Sequence, residues 1–549
     1  MTRISEEFSD HLRSAARSLA RRRFVTVTGA AAALAFSVGL PGTAGTAHAA
    51  APLDGAALDG DPFTLGIASG DPLPDSVVLW TRLALDPYAA DSGLPPEPVA
   101  VRWELARDRH FRRTVDGGTV LAHPEFHHAV HVEPRRLAPG TDYYYRFRAG
   151  PWTSATGRTR TAPAPHDRVG RGLRFALASC QRYDQGYYTA YRHLAAEEDL
   201  DAVVHLGDYL YEYAINAAAG ARGYTGDRQL PAHYQRETVT LDDYRLRYSL
   251  YHADPDLQAA HAAHPWIVTW DDHEVDNNYA AAVSQDEDPE AEFLVRRAAA
   301  YRAYYENLPL RRPQLPEGPD LRLYRRLHFG RLAQLDVLDT RQYRADQANG
   351  DGWKLPTEAS AAPGRHLLGA AQERWLADGW RASRALWNVV PQQIVVSRRR
   401  NQLAEPWPLA MDAWDGYPWA RERLLRSVRE SGVRNLVVFT GDVHVHHAFD
   451  IKEDFDDPAS RTLGVELVTT SISSGGNGAR RPANWEAMMT VNPHLRFYDG
   501  RRGYVLVSLD EQRVRADYRV VSGVTEPGGT VSTAGSFVSR AGEPGLSPA

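Results

Sequence analysis

The chain has 549 residues, of which 43% are hydrophobic and 24% are charged, so it can form several domains with large cores. This length and composition exclude a peptide hormone, a small disulfide-stabilised scaffold and a fibrous protein. Residues 1–49 contain six arginines against three acidic residues, which leaves the rest of the chain with a net charge of −9. An acidic chain is not attracted nonspecifically to polyanions, and we expect no nucleic-acid partner.

The first 49 residues have the pattern of a twin-arginine export signal. Arg21-Arg22-Arg23 precedes a weakly apolar run from Phe24 to Leu40, and Ala47-His48-Ala49 offers the small residues that a signal peptidase reads. A membrane anchor is the alternative, but this run is short and polar for a membrane span. We therefore predict a cleaved signal peptide over 1–49, export by the twin-arginine machinery, and a secreted protein, extracellular or cell-wall associated, with no transmembrane helix in its mature chain.

Cys180 is the only cysteine, so the exported chain can form no internal disulfide. A free cysteine is usually a small buried hydrophobic residue. The functional alternative is a thiolate that binds a metal or acts as a nucleophile. Cys180 alone leaves both interpretations open.

Residues 62–161 are predicted to form an N-terminal antiparallel β-sandwich, because short alternating runs are separated there by Pro, Gly and Asp turns. The predicted strands include Ser76 to Trp80, Val99 to Leu105, Gly118 to Leu121, His127 to Val132 and Tyr143 to Ala149. A Pro-containing linker over 162–171 follows.

Residues 172–521 alternate apolar strands with longer helical segments, which predicts an α/β domain with a mixed or partly parallel sheet. The predicted strands that matter for function are Leu173 to Ala178, Ala202 to Leu206, Trp266 to Trp270, Leu332 to Leu338 and Leu436 to Thr440. Residues 522–549 are rich in Gly, Ser and Thr and are predicted to be a flexible tail.

Polar residues follow each of these five strands directly. The motifs are Ser179-Cys180-Gln181-Arg182, Gly207-Asp208-Tyr209-Leu210-Tyr211, Asp271-Asp272-His273-Glu274, Asp339-Thr340-Arg341 and Gly441-Asp442-Val443-His444. Open α/β sheets place their ligand sites at the carboxyl ends of strands, so we expect these side chains to share one edge. Each residue alone has an ordinary structural explanation, but together the motifs predict a metal site.

The chemistry of the motifs fits two kinds of cation. A carboxylate such as Asp208 can bridge two metal ions, and His444 points to the same side of an extended segment as Asp442. A thiolate, a phenolate, an imidazole and carboxylates together suit a strongly Lewis-acidic ion beside a harder divalent one. A nucleophilic cysteine is the alternative, but no Cys/His/Asn arrangement accompanies Cys180.

With these motifs, the sequence resembles the PhoD-like alkaline phosphatase/phosphodiesterase family, within the calcineurin-like metallophosphoesterases related to purple acid phosphatases. The resemblance extends from about Phe63 to Val520. It implies a calcineurin-like α/β metallophosphoesterase domain after the β-sandwich. It also implies an Fe³⁺ ion and Ca²⁺ ions. The Fe³⁺ ligands it implies are Cys180, Asp208, Tyr211 and His444, and the Ca²⁺ ligands are Asp208, Asp272 and Asp442.

The implied function is metal-dependent hydrolysis of phosphate monoesters, diesters or both by a metal-bound hydroxide. In this hypothesis His273 protonates the leaving group, and Arg341 either binds phosphate oxygens or forms a structural salt bridge. A phospholipase D-type phosphodiesterase that acts on phospholipid head groups is one alternative. An exported binding protein stabilised by metals is another, from a different class of protein.

Overall fold

The computed structural model describes residues 58–215, 222, 224–225 and 228–549, and the predicted signal peptide lies outside them. The described helices are α1 Thr189–Ala195, α2 Leu241–His252, α3 Pro255–Ala263, α4 Glu290–Asn307, α5 Gly369–Ala382, α6 Pro418–Ser431 and α7 Trp485–Val491. No described helix combines the length and the apolar character needed to cross a bilayer.

The described strands are numbered in chain order. They are β1 Ile67–Leu73, β2 Ser76–Arg82, β3 Val99–Ala106, β4 Thr114–Ala122, β5 Ala129–Val132, β6 Asp142–Ala149, β7 Trp152–Thr153, β8 Gly157–Arg160, β9 Leu173–Ala178, β10 Ala202–Leu206, β11 Tyr224–Thr225, β12 Arg228–Gln229, β13 Pro265–Thr269, β14 Arg325–Phe329, β15 Ala333–Val337, β16 Trp353–Lys354, β17 Trp387–Pro391, β18 Leu409–Ala410, β19 Leu436–Thr440, β20 His446–Lys452, β21 Thr462–Val468, β22 Leu495–Asp499, β23 Gly503–Leu509, β24 Arg513–Val521, β25 Val531–Arg540 and β26 Glu543–Pro548.

The described chain divides into two compact units. The first contains residues 58–161, 231–266 and 288–322, and the second contains residues 162–230, 267–287 and 323–549. Each unit therefore draws on three separate stretches of the chain.

The first unit contains the predicted antiparallel β-sandwich. In one layer β3 lies between β4 and β6, and β6 also pairs with β7 and β8. In the other layer β2 pairs with β1 and β5. Alternate residues of both layers, such as Leu79 on β2 and Trp103 on β3, are buried in one hydrophobic cluster. The β-sandwich that the alternating runs predicted is therefore present in this unit.

The first unit also includes α2, α3 and α4, where the sequence predicted one continuous domain over 172–521. These helices cover the strand β2. The indole nitrogen of Trp80 donates to the carbonyl of Glu306 at 3.0 Å, and its ring stacks on His252 at 4.7 Å. The structure differs from the prediction because contacts distant in sequence, rather than a composition change, decide where these helices pack.

The second unit has the α/β architecture that the sequence predicted. Its seven-stranded sheet has the order β14-β15-β17-β19-β21-β20-β22, with parallel pairing from β15 through β21. In its other sheet β9 lies between the parallel strand β10 and the antiparallel strand β23. The strands β9, β10 and β19 have the predicted bounds. Their carboxyl ends carry the site.

The predicted flexible tail instead contains two strands. The strand β25 pairs with β24 along its length, and β26 pairs with β25. Phe537 and Val538 of β25 are buried, and the amide of Leu546 donates to Asp450 at 2.8 Å. Composition misled the prediction here because Gly and Ser are compatible with an edge hairpin that gains its stability from neighbouring strands.

Candidate metal centre

The loops that follow β9, β10, β13 and β19 bring most of the predicted ligands together in the second unit. The ligand atoms of Cys180, Asp208 and His444 all lie within 4.8 Å of one another, and those of Asp208, Asp272 and His273 form a second such group. Asp208 belongs to both groups, and Asp442 belongs to neither. The arrangement therefore has the form of two neighbouring cation sites with one shared carboxylate.

The backbone of this region is unusual at the ligand positions. Cys180, Asp208, Asp442 and His444 have φ values of 59°, 57°, 67° and 56°, in the left-handed region that residues with a Cβ seldom occupy. Each such residue costs about 1–2 kcal/mol in conformational energy. All four residues are candidate ligands. The strained backbone therefore lowers stability at the positions where it orients these side chains toward the site.

Gly207 makes the turn before Asp208 sterically possible. Its φ is 103°, and a Cβ at this position would lie 2.5 Å from Cβ of Asp271. The amides of Cys180 and Gln181 donate to the carbonyls of Gly207 and Asp208. Only glycine allows the loops after β9, β10 and β13 to approach this closely.

The first ligand group is centred on the hydroxyl of Tyr211. This hydroxyl donates to Oδ2 of Asp208 at 2.8 Å and lies 3.1 Å from Nε2 of His444. It also accepts a hydrogen bond from Ser474 at 2.8 Å. The thiol of Cys180 is completely buried in the same region. A thiol, a phenol, an imidazole and a carboxylate thus converge on one point.

The second ligand group contains His273, whose orientation is fixed by Glu212. Nδ1 of His273 lies 2.8 Å from Oε2 of Glu212, and the other oxygen of Glu212 accepts from the amide of Asn277 at 2.9 Å. The imidazole also packs on the ring of Tyr211, with centroids 4.1 Å apart. Because a carboxylate oxygen only accepts, Nδ1 carries a hydrogen and Nε2 remains for other chemistry.

Arg341 is fully buried and surrounded by carboxylates. Its Nε donates to Asp271 at 2.6 Å, and its two terminal nitrogens donate to the two oxygens of Asp412 at 2.9 and 2.7 Å. One of them also lies 3.4 Å from Asp272. Of the two roles predicted for Arg341, the described contacts form the structural salt bridge, and its fork is already occupied by Asp412.

Burial and mutual repulsion shift the pKa values of the acidic groups. Burial, with the charge of Asp412, raises the pKa of Asp442 to about 7. Burial likewise raises the pKa of Cys180 well above its usual value, and nearby carboxylates add to this effect. Burial also raises the pKa of Asp208 well above the ordinary range, against the opposing charge of His273. Groups that resist ionisation in this way become favourable anions once a cation lies between them.

His273 and His444 are shifted in opposite directions. Burial lowers the pKa of His444 to about 3, and the charge of Arg502 acts in the same direction. Burial also disfavours the charged form of His273, but Glu212, Asp272 and Asp208 outweigh it and hold its pKa well above the usual value. The neutral imidazole suits a metal ligand, whereas the protonated one suits an acid.

The residues present fit a cation at this position. Oδ1 of Asp208 and Oδ2 of Asp271 are buried and have no hydrogen-bond partner among the described residues. An unpartnered buried carboxylate oxygen is costly, and a bound cation removes that cost. The donor types of the first group suit a strongly Lewis-acidic ion, and the carboxylates of the second suit a hard divalent ion.

Sequence reasoning missed several residues that hold the ligands in place. Glu274 accepts from the amides of Asp208, Tyr209 and Asp271 at 2.6–3.1 Å and so joins two loops of the site. Glu212 and Glu274 stand beside predicted ligands in the sequence, so their positions were a usable signal. Asp412 follows no predicted strand and carries no such signal.

Comparison with known proteins agrees with this site. The family model of PhoD-like phosphatase matches residues 175–518, and that of its N-terminal domain matches residues 47–163. Alkaline phosphatase D of Bacillus subtilis strain 168 is 47% identical over 526 residues, covering 96% of this chain and 88% of the relative. A solved structure of PhoD has a TM-score of 0.85 and 48% identity, covering 89% of this chain and 92% of that one.

Fold, site and similarity together define the class of the protein, which is a phosphoric ester hydrolase. Its expected enzymatic character is thereby confirmed, and the alternative of an exported binding protein is wrong. Within this class the chain belongs to the PhoD-like phosphatase family.

Proposed function

We propose that this protein is an exported, metal-dependent phosphoesterase that hydrolyses phosphate monoesters, diesters or both. The observation that carries the proposal is the position of Asp208. Its side chain belongs to both ligand groups, and its Oδ1 is buried without a partner. A carboxylate shared by two ligand groups is the feature expected of a two-metal phosphoesterase.

In this proposal Cys180, Asp208, Tyr211 and His444 would hold Fe³⁺, and Asp208, Asp272 and Asp442 would hold Ca²⁺. These residues would thereby supply cations that neutralise phosphate oxygens and lower the pKa of a water molecule. The support in the structure is the convergence of soft and hard donors, together with the unpartnered oxygen of Asp208.

His273 is the proposed proton donor to the leaving group. Its Nδ1 is engaged by Glu212, so the proton that can be transferred is held at Nε2. Burial lowers the pKa of His273, but Glu212, Asp272 and Asp208 outweigh burial and raise it, and Glu212 does so through a direct hydrogen bond. Glu212 acts through His273, as a positioning residue.

Arg341 is proposed to act in the same indirect way. Its nitrogens already engage Asp271, Asp272 and Asp412. Its charge reduces the repulsion between these adjacent carboxylates. Burial raises the pKa of Asp272, but Arg341 and His273 together with the amide of Asn278 outweigh burial and lower that pKa. The proposal adopts the structural salt bridge, one of the two roles that the sequence left open for Arg341.

The metal proposal is tested with Asp208→Asn and a control at the other end of the same strand. Asp201→Asn is the control because Asp201 precedes β10 and pairs with Arg171, outside the ligand groups. We expect Asp208→Asn to lose bound metal and nearly all turnover of p-nitrophenyl phosphate, whereas Asp201→Asn retains both. Full activity of a metal-free Asp208→Asn enzyme would contradict the proposal.

The identity of the first cation is tested by visible spectroscopy and elemental analysis. A phenolate or thiolate bound to Fe³⁺ absorbs visible light, so the purified protein should be coloured. Tyr211→Phe should shift or bleach the band, whereas Tyr504→Phe, whose hydroxyl donates to Glu197, should not change it. Selective chelation of calcium should stop turnover while iron remains bound. A colourless and iron-free enzyme with full activity would exclude Fe³⁺.

Substrate preference is tested by comparing three reactions of the same preparation. These are hydrolysis of p-nitrophenyl phosphate, hydrolysis of bis(p-nitrophenyl) phosphate and release of choline from phosphatidylcholine. Turnover of the first two without choline release is the expected result. Choline release that exceeds the other two rates would favour the phospholipase D-type alternative.

A further inference from the structure

Three consecutive arginines follow β17, and they differ in how their charges are balanced. Arg398 pairs with Asp456 at 2.7 Å, and Arg400 forms an ion pair with the same carboxylate. The guanidinium of Arg399, between them, has no hydrogen bond or ion pair with any residue in the described ranges. Arginine is a strong donor to anions, so a guanidinium without an acidic partner is conspicuous next to two that have one.

Arg399 is nevertheless held in place. Its guanidinium lies over the ring of Trp353, 5.5 Å from the centroid, and its amide donates to Asp415 at 3.0 Å. Nε is shielded from solvent, although the residue as a whole is only half-buried. Trp353 remains 41% exposed. Stacking on an aromatic face orients a guanidinium while leaving its edge free for hydrogen bonds.

Two sets of contacts connect Trp353 to the metal centre. Trp353 pairs with Ala410, and two residues later Asp412 holds Arg341. Asp351 accepts from the side chain of Asn278 at 2.6 Å. The amide of Asn278 in turn donates to Asp272 at 2.8 Å. The tryptophan is therefore fixed relative to the candidate ligands.

A backbone contact also places Arg399 near the site. The carboxylate that accepts from its amide belongs to Asp415, three residues after Asp412. Asp412 holds Arg341, and Arg341 lies 3.4 Å from the candidate ligand Asp272. Arg341 is buried in its ion pairs, whereas Arg399 is half-exposed. Arg399 is thus a cation near the candidate metal ligands, at a position that solvent can reach.

We propose that Arg399, stacked on Trp353, forms a second anion-binding subsite that takes a phosphate group of the substrate other than the one being hydrolysed. A half-exposed guanidinium on an exposed ring suits a group at the edge of the site, and the cations at its centre suit the reacting phosphate. The substrates that use it are esters with two phosphate groups. The inference rests on the proposed function and adds a substrate class to it.

The test uses two competitors that differ by one phosphonate group, pentylphosphonate and pentane-1,5-bisphosphonate. Their C–P bonds are not cleaved by hydrolysis of phosphate esters, so both remain intact on the active enzyme. Their inhibition constants are measured against hydrolysis of p-nitrophenyl phosphate by the metal-loaded enzyme. Their dissociation constants are also measured by titration calorimetry, which needs no turnover. The uninhibited rate reports the proposed function separately from the second subsite.

We expect the bisphosphonate to bind about tenfold more tightly than the monophosphonate to the parent enzyme, as for one additional charge-assisted contact. Arg399→Gln should bring this ratio close to one, and Trp353→Ala should reduce it because the guanidinium loses its support. Arg400→Gln is the matched control and should keep the parent ratio, since Arg400 stacks on Trp407 and pairs with Asp456. A parent ratio of one, an unchanged ratio in Arg399→Gln, or an equal loss in Arg400→Gln would overturn the proposal.

Discussion

At the scale of single residues, Nε2 of His273 is the atom best placed to donate a proton to the leaving group. Glu212 fixes the ring through Nδ1, and the surrounding carboxylates hold the pKa of His273 well above its usual value despite burial. We predict that His273→Ala lowers kcat by about 10²–10⁴-fold for an alkyl phosphate, the range typical of acid–base catalysis. With p-nitrophenyl phosphate the loss should be much smaller, because p-nitrophenolate leaves without protonation. Equal losses for both substrates at unchanged metal content would show that His273 has another role.

Glu212 should reveal its positioning role through the pH profile. In Glu212→Gln the amide no longer stabilises a charged imidazole, so the pKa of His273 falls. We predict that the alkaline limb of kcat for an alkyl phosphate moves to lower pH, while p-nitrophenyl phosphate turnover changes little. Glu197→Gln is a suitable control because Glu197 bonds to Tyr504, outside the ligand groups. An unchanged alkaline limb in Glu212→Gln would remove this role.

At the scale of elements, the hairpin of β25 and β26 gains its stability from the strands next to it. Phe537 lies on β25 and contacts the rings of Phe497 and Tyr518, at centroid distances of 5.4 and 6.2 Å. We predict that Phe537→Ala lowers the free energy of unfolding by about 2–3 kcal/mol, below the full range for a deeply buried Phe. Ser532→Ala, at an exposed position of the same strand, should change it by less than about 0.5 kcal/mol. Chemical denaturation measures both, and equal stability of the two variants would mean that the hairpin contributes little.

At the scale of the whole molecule, buried histidines predict acid sensitivity. Burial lowers the pKa of His131 to about 4 and that of His252 to about 3. In the unfolded chain these groups titrate near pH 6.5, so the unfolded state binds more protons as the pH falls below that value. Stability should therefore be lost progressively between pH 6.5 and about 3.

Replacing His447 tests the effect of a buried histidine on stability without removing a hydrogen bond. Burial lowers its pKa well below the usual value, and neither ring nitrogen has a hydrogen-bond partner among the described residues. We predict that at pH 7.5 the free energy of unfolding of His447→Phe is at least as large as that of the parent. At pH 5 the difference should grow by up to about 2 kcal/mol in favour of the variant, because the unfolded parent binds an additional proton there. Urea denaturation at the two pH values tests this, with His110→Phe as an exposed control. A constant difference between His447→Phe and the parent would contradict it.

Export is also a property of the whole chain, and its signal lies outside the described residues. We propose that replacing Arg21 and Arg22 with Lys retains the precursor inside the cell, because the twin-arginine pair is the recognised feature. The mature N-terminus of the secreted parent should begin near Ala50, as N-terminal sequencing would show. Normal secretion of the double-lysine variant would remove the twin-arginine assignment.

The sequence alone determined the fold class, the strands that carry the site and the enzyme class. Periodicity identified β9, β10 and β19 because buried parallel strands are nearly continuous apolar runs, and that signal is local. The motifs after β10 and β13 predicted that Asp208, Asp272 and His273 share one site, because the residue types at strand ends indicate the chemistry of a site, and their ligand atoms do lie close together.

Only the tertiary structure decided the remaining features. The left-handed backbone at Cys180 and Asp208 and the ion pairs of Arg341 with Asp412 depend on which distant loops meet. The packing of α2 on β2 and the pairing of β25 with β24 are likewise contacts between distant parts of the chain. Local composition carries no record of such contacts, because the burial and charge that fix them come from neighbours in space rather than in sequence.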